Sequence, residues 1–221
     1  MYAVAIDGPA GAGKSTISRE AAKQLGFLYV DTGALYRTVA LDMIRNNIDV
    51  SDKTAVCARL PMIKVAFGYE NSEQQVYLND ENVSGQIRTP QVSSAASTVS
   101  AIGEVRQFLF EQQQNIAKEN NIIMDGRDIG TVVLPNAQVK IFLTADVKER
   151  ARRRFVELQK KNDPATFDEV LEDMKQRDYN DTHRPVAPLR QAEDAVLVDT
   201  TELDYNGSVA AILAVIKEKI G

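Results

Sequence analysis

Apolar residues along this chain fall into short continuous runs that alternate with longer segments in which they recur every three or four positions. The short runs have the length of buried strands, and the longer segments have the periodicity of helices. Because strand–helix–strand units join parallel strands, the alternation predicts an α/β fold with a doubly wound parallel sheet of about five strands. The predicted strands lie at 2–6, 27–30, 122–125, 139–143 and 195–199.

One stretch departs from this pattern. Apolar residues alternate with polar ones at Ile63, Val65, Phe67, Val76 and Leu78. Turn-forming pairs lie at 71–72 and 79–80. Strict alternation is typical of strands with one exposed face, which pair in antiparallel sheets. We therefore predict a small antiparallel insertion at about 60–100.

Polar residues that cap helices mark several predicted helix starts. Ser51 precedes a short helical segment that ends before Pro61, and Thr89 precedes a proline at a first helical position. Asp146 precedes a helix that soon becomes very basic. Thr166 and Glu169 have the spacing of a capping box, in which each side chain bonds the other residue's backbone N–H.

The first apolar run leads directly into a glycine-rich turn and then a helical segment. Residues 8–15 follow the P-loop pattern, in which backbone N–H groups converge on phosphate oxygens at a helix N-terminus. Lys14 can reach the β- and γ-phosphates, and the Ser15 hydroxyl can bind Mg²⁺. This context predicts a bound nucleoside triphosphate. The predicted binding residues are Gly8, Pro9, Ala10, Gly11, Ala12, Gly13, Lys14, Ser15 and Thr16.

Polar residues also follow two other predicted strands, at the edge of the sheet where ligands of open α/β folds bind. Thr32 and Arg37 follow the strand at 27–30, where they can meet an anion beside the P-loop. Asp125 ends a later strand, in the place where P-loop proteins keep an acid near Mg²⁺. A carboxylate that only caps a loop is the alternative for Asp125.

Arginine is the most informative residue type in this chain. Arg37, Arg127, Arg177 and Arg184 are all predicted to lie at strand ends or in loops that follow core elements, and residues 150–154 form a basic run. Any one of them could be a solvated surface residue. Phosphoryl transfer, however, needs fixed positive charge around donor and acceptor phosphates. Two separate groups of arginines predict two phosphorylated ligands.

Composition narrows the range of functions. For a chain of 221 residues, a net charge of −5 argues against a nucleic-acid polymer as partner. Cys57 is the single cysteine, so an internal disulfide is excluded, and a reducing compartment is expected. No apolar run is long enough to span a bilayer. The first predicted strand begins at residue 2, so we expect no signal peptide. We therefore expect a cytoplasmic protein without membrane contact.

Taken together, these motifs resemble the bacterial cytidylate kinases. The resemblance covers nearly the whole chain and rests on residues 6–15, 31–37, 83–89, 125–131 and 184–189. It implies transfer of the γ-phosphate of ATP, bound with Mg²⁺, to CMP or dCMP. It also implies one P-loop kinase domain over 1–221, acting on small nucleotides as a monomer. The core would comprise 1–36, 103–148 and 186–221, with a monophosphate-binding region at 37–102 and a helical lid at 149–165.

The resemblance also assigns individual residues. Ser97, Arg106 and Asp128 would recognise cytosine, and Arg37 and Arg127 would hold the CMP phosphate. Arg177, Asp181 and Arg184 would meet the sugar and phosphate, and Thr32 supplies a hydroxyl where the family often has serine. The expected catalytic residues are Lys14, Arg127, Arg150 and Arg154, and the expected metal ligands are Ser15 and Asp125. Relatives often carry more arginine where this chain has Tyr179 and Asn180.

Two other functions are compatible with the same sequence. One is another P-loop kinase with a small acceptor, such as a UMP kinase; adenylate and shikimate kinases should lack the sheet-like insertion. The other is a nucleotide-binding switch protein, although an Asn-Lys-x-Asp motif for guanine is absent.

Overall fold

The structure is a computed structural model that describes residues 1–70, 73–160 and 162–221. The predicted turn at 71–72 lies outside these residues. The first half of the chain contains β1 (Ala3–Asp7), α1 (Lys14–Leu25), β2 (Leu28–Asp31), α2 (Thr32–Arg45), α3 (Lys53–Arg59), β3 (Val65–Glu70), β4 (Glu73–Leu78), β5 (Glu81–Asn82) and α4 (Pro90–Val99). The second half contains α5 (Gly103–Glu119), β6 (Ile122–Gly126), β7 (Val139–Thr144), α6 (Val147–Gln159), α7 (Phe167–His183), β8 (Val196–Asp199) and α8 (Tyr205–Ile220).

Five parallel strands form the central sheet in the order β2-β6-β1-β7-β8. The P-loop strand β1 is therefore central. Register places Asp31 beside Asp125, and Asp7 beside Gly126. The predicted doubly wound sheet is confirmed, and its carboxyl ends bring three acids to one edge.

Both faces of the sheet are covered by helices. On β1, Val4 and Ile6 point into a cluster with residues of α1 and α8, while Ala5 belongs to a cluster on the opposite face. Strands buried on both faces have no polar alternation, which is why the sequence shows continuous apolar runs.

The predicted antiparallel insertion is also confirmed. Strands β3, β4 and β5 form a three-stranded sheet, with Val65 opposite Leu78 and Phe67 opposite Val76. Val65, Val76 and Leu78 are buried in a cluster that also contains core residues of α2, α4 and α5. The insertion therefore packs on the helices beside β2.

Helices α6 and α7 form a hairpin with an apolar cluster of its own. Ala151, Leu158, Val170 and Met174 are buried there, apart from the clusters of the central sheet. The ring of Phe155 packs edge-on against that of Phe167. The predicted lid at 149–165 covers most of α6 and the connection to α7.

The predicted caps are correct at Thr89, at Asp146 and at the Thr166–Glu169 capping box, but Ser51 is wrong. The cap of α3 is Asp52, whose carboxylate accepts from the Ala55 N–H at 3.0 Å. Ser51 instead donates its own N–H and hydroxyl to Asp49. Among the described ranges, no helix combines the length and apolar character that crossing a bilayer requires.

Candidate active site

The carboxyl ends of β1, β2 and β6 open into one cleft of about 730 Å³, which α4 and the α6–α7 hairpin also line. All of the site residues predicted from the sequence line this cleft except Gly8, Pro9, Ala12 and Arg150. Arg37 and Arg177, which the sequence placed in loops or at strand ends, lie inside α2 and α7. The fold thus brings together predicted site residues as far apart in the chain as Ala10 and Arg184, which are 174 positions apart.

The P-loop backbone needs glycine at two positions for steric reasons. Gly8 has a φ of 151°, and a Cβ there would lie 1.9 Å from the carbonyl oxygen of Leu143 on β7. Gly11 has a φ of 73°, and its Cβ would lie 2.8 Å from the terminal methyl group of Met174 on α7. The loop is therefore pressed between the central sheet and the hairpin.

Lys14 begins α1 and lies almost fully buried beneath the loop. Its Nζ donates to the carbonyl oxygens of Gly8 and Pro9, each at 2.7 Å. Burial, followed by the positive charge of Arg127, lowers the pKa of Lys14 to about 7. The ammonium group is therefore held at the phosphate-binding loop in an environment that favours its neutral form.

This lowered pKa predicts proton uptake when MgATP binds at pH 8. The free protein holds Lys14 largely neutral at that pH, and phosphate oxygens beside Nζ would raise its pKa, so binding should take up most of one proton. Asp7 and Asp125, with pKa values of about 6, are ionised at pH 8 in both states. Calorimetry in buffers of different ionisation enthalpy measures the uptake. A Lys14→Met variant should show none, and equal uptake by both proteins would contradict this assignment.

Ser15 and Asp125 lie side by side, as predicted for a metal site. The Ser15 hydroxyl donates to Oδ2 of Asp125 at 2.8 Å, and the Tyr29 hydroxyl donates to Oδ1 at 3.2 Å. Burial, followed by the negative charge of Asp31, raises the pKa of Asp125 to about 6. A hydroxyl and a carboxylate oxygen fit Mg²⁺, which is commonly held by one or two protein oxygens together with phosphates and water.

Asp31 organises the arginines near β2. Its carboxylate accepts from Arg37 at 2.7 Å, from Arg88 at 3.4 Å and from the Ala34 N–H at 3.1 Å. Although burial raises its pKa, the positive charges of Arg37 and Arg88 leave the pKa of Asp31 below its usual value. Two guanidinium groups are thereby held at one wall of the cleft.

A second group of ion pairs lies after β6. Arg127 donates through Nε to Asp181 of α7 at 2.7 Å. Asp128 accepts from Arg106 of α5 and, at 3.2 Å, from Arg184. Arg127 and Asp128 are adjacent in sequence, but their side chains bond different partners, so Asp128 does not orient Arg127.

The basic run of α6 divides into two parts. Arg150 is buried, and it donates to the carbonyl oxygens of Ala10 and Ala145 and pairs with Asp178 at 2.6 Å. It therefore fastens the hairpin beneath the P-loop instead of facing the cleft. Arg154 does line the cleft, and its side chain is about one third exposed and pairs with Glu157 at 3.2 Å.

Sequence reasoning missed Asp7, Arg88 and Tyr36. Asp7 accepts from the backbone N–H groups of Ile129 and Gly130, each at 2.7 Å, and so fixes the π-helical turn that follows Asp128. Burial raises its pKa to about 6. Tyr36 lies with its ring 5.6 Å from the guanidinium carbon of Arg106. The sequence did contain a signal for Asp7, because it is an acidic residue at the end of the buried strand β1.

Comparisons with known proteins find relatives that match nearly the whole chain. Residues 4–218 match the family model described as Cytidylate kinase. The chain is 49% identical to the cytidylate kinase of Caldicellulosiruptor bescii, over 95% of this chain and 93% of that protein. It is 48% identical to the cytidylate kinase of Carboxydothermus hydrogenoformans, over 98% of this chain and 97% of that protein. A shikimate kinase from Bacteroides thetaiotaomicron, at 13% identity, has a similar fold, with a TM-score of 0.51 over 98% of both chains.

Proposed function

The chain belongs to the cytidylate kinase family, and we propose that it transfers the γ-phosphoryl group of ATP, bound with Mg²⁺, to CMP or dCMP. The products would be ADP and CDP or dCDP. The observation that carries this proposal is a single cleft in which the P-loop faces two groups of arginines held by buried acids. Such an arrangement provides positive charge for both a donor and an acceptor phosphate.

On the donor side, the P-loop N–H groups and Lys14 would hold the β- and γ-phosphates. Ser15 and Asp125 would hold Mg²⁺, which supplies charge stabilisation for the transferred group. Arg154 would approach the same phosphates from α6. Because the transition state of phosphoryl transfer spreads negative charge over the moving group, these fixed positive charges lower the barrier.

On the acceptor side, Arg37 and Arg127 would hold the CMP phosphate, with Arg177, Asp181 and Arg184 near the sugar and phosphate. A phosphate monoester is largely ionised at neutral pH, because its second pKa is about 6. The attacking oxygen therefore needs no general base, and we assign none. Ser97, Arg106 and Asp128 would contact the cytosine base, and Thr32 would contribute its hydroxyl near the acceptor.

Turnover with ATP and a panel of monophosphates tests this proposal. CMP or dCMP is expected to have a higher kcat/KM than UMP or AMP. A preference for UMP would instead support a UMP kinase, and tight ATP binding without transfer to any monophosphate would support a switch protein. We expect the chain to act as a monomer in the cytoplasm; light scattering of the purified protein tests its oligomeric state.

Replacing Arg154 with alanine is expected to lower turnover about tenfold, because a hydrogen bond to a charged group contributes about 1.5 kcal/mol at the lower end. Its partly exposed side chain lies outside the apolar cluster of the hairpin, so the unfolding temperature should not change. Exposed Lys160 at the end of α6 provides the control, as Lys160→Ala. If both variants keep normal turnover, Arg154 is an ordinary solvated residue of α6 with no role in transfer.

A further inference from the structure

Strand β2 lies at one edge of the central sheet, with β6 on its other side. An edge strand carries backbone N–H and C=O groups that no neighbouring strand pairs. Here side chains of the insertion bond two of its residues. The Tyr69 hydroxyl of β3 donates to the carbonyl oxygen of Tyr29 at 3.2 Å. Gln74 of β4 bonds the backbone of Asp31.

The amide of Gln74 contacts Asp31 at two points. Its Oε1 accepts from the Asp31 N–H at 2.7 Å, and its Nε2 donates to the Asp31 carbonyl oxygen at 3.2 Å. These are the two contacts that the N–H and C=O of one residue in an adjacent antiparallel strand would make. On one side β2 pairs with β6, and the two bonds from Gln74 restrain the position and orientation of the Asp31 backbone on the side that no neighbouring strand pairs.

Asp31 is the residue whose carboxylate holds the arginines at this wall. Its side chain is 7% exposed and pairs with Arg37 and Arg88 while also capping α2. A carboxylate with three partners has little freedom to adjust, so displacement of its backbone moves the guanidinium groups with it. Gln74 is thus connected through a single residue, Asp31, to Arg37, which would meet the acceptor phosphate.

We propose that the antiparallel insertion holds Arg37, the arginine of this wall that would meet the acceptor phosphate, in position through the bonds between Gln74 and the backbone of Asp31. Gln74 acts as a positioning residue that need not contact substrate. This inference rests on the proposed function, in which Arg37 holds the CMP phosphate. In this view the insertion positions a substrate-binding residue in addition to covering the core.

The neighbouring glutamine provides a matched control. Gln75 lies on the same strand, but its side chain accepts from Asn82 within the insertion, at 3.1 Å, and it does not line the cleft. Gln74→Met and Gln75→Met remove an amide of the same size from adjacent positions. Only the first removes the bonds between Gln74 and the Asp31 backbone.

The experiment measures the affinities of CMP and cytidine for both variants, with cytidine measured as a competitor of CMP. Gln74→Met is expected to weaken CMP binding about tenfold, because two hydrogen bonds to the Asp31 backbone are lost. Cytidine has no phosphate, so its affinity should change little, and KM for ATP should remain normal. Gln75→Met should match the wild-type protein in all three measurements.

Equal CMP affinity of the two variants would overturn the inference, as would a parallel loss of CMP and cytidine affinity in Gln74→Met. If Gln74→Met does not fold, Gln74→Glu keeps an acceptor for the Asp31 N–H, removes the donor to the Asp31 carbonyl oxygen and adds a negative charge. Gln75→Glu adds the same charge at the adjacent position and is compared by the same criteria. If the wild-type protein cannot phosphorylate CMP, the proposed function itself is wrong. If the wild-type protein has normal turnover and the two variants cannot be distinguished, only the role of Gln74 is wrong.

Discussion

Lys14→Ala is expected to lower turnover by about 10²–10³-fold, because removing one positioned donor from a site of developing charge costs about 3–4 kcal/mol. Nζ lies at the P-loop, held by the carbonyl oxygens of Gly8 and Pro9, where a triphosphate would bind. Steady-state turnover with saturating ATP and CMP measures the effect.

The same substitution should leave the fold at least as stable. The pKa of Lys14 is lowered from 10.5 to about 7, first by burial and then by Arg127. A group whose pKa falls on folding makes the folded state bind fewer protons than the unfolded state, so stability rises with pH between about 7 and 10.5. Below that window the buried charge opposes folding. Alanine removes this cost, so the unfolding temperature at pH 7 should hold or rise.

Lys23 supplies the matched control, since it is an exposed lysine in the last turn of the same helix. Lys23→Ala should keep both turnover and stability. Loss of activity in Lys14→Ala together with an unchanged unfolding temperature would separate a catalytic role from a structural one. Near-normal turnover in Lys14→Ala would remove the kinase mechanism.

Parts of the site that depend on local sequence were predicted well. The P-loop is a continuous segment, and its position between β1 and α1 is fixed by chain connectivity. Asp125 and Thr32 could be placed near it because parallel strands end at the same edge of the sheet. The Ser15–Asp125 contact joins residues 110 positions apart, yet it follows from that one topological rule.

The partners of the buried acids could not be predicted in the same way. Arg127 and Asp128 are adjacent in sequence, but Arg127 turns to α7 while Asp128 turns to α5 and the segment after α7. Which arginine each acid meets depends on how three helices pack, and no periodicity encodes that. Arg150 illustrates the same limit, because a charged residue in a basic run gives no sign that Asp178 will pair with it in the interior.

Asp128→Asn is expected to lower kcat/KM for CMP by at least about thirtyfold, and to lower the CMP-to-UMP ratio of kcat/KM by tenfold or more. Removing the charge of one partner in a buried, hydrogen-bonded ion pair costs about 2–5 kcal/mol. Arg106 and Arg184, each 8% exposed, would face an amide that can donate toward them instead of a carboxylate that only accepts. The loss of kcat/KM for CMP therefore includes a contribution from the disrupted ion pairs with Arg106 and Arg184.

The shift in base preference has a separate origin. Cytosine presents the N4 amino donor where uracil presents the O4 acceptor. The two arginines occupy one site on each oxygen of Asp128, and a carboxylate has about four lone-pair sites, so acceptor capacity remains for N4. Uracil would place an acceptor against that carboxylate, whereas an asparagine amide could turn its NH₂ group toward O4.

Asp42→Asn distinguishes the two contributions. Asp42 is buried and pairs with Arg59 through both carboxylate oxygens, so this change removes the same charge from an Asp–Arg pair that does not line the cleft. It should lower stability without changing the CMP-to-UMP ratio. The measurement is kcat/KM for both monophosphates at saturating ATP in the two variants. If Asp128→Asn lowers both values equally, Asp128 serves only to hold Arg106 and Arg184, and another group must select the base.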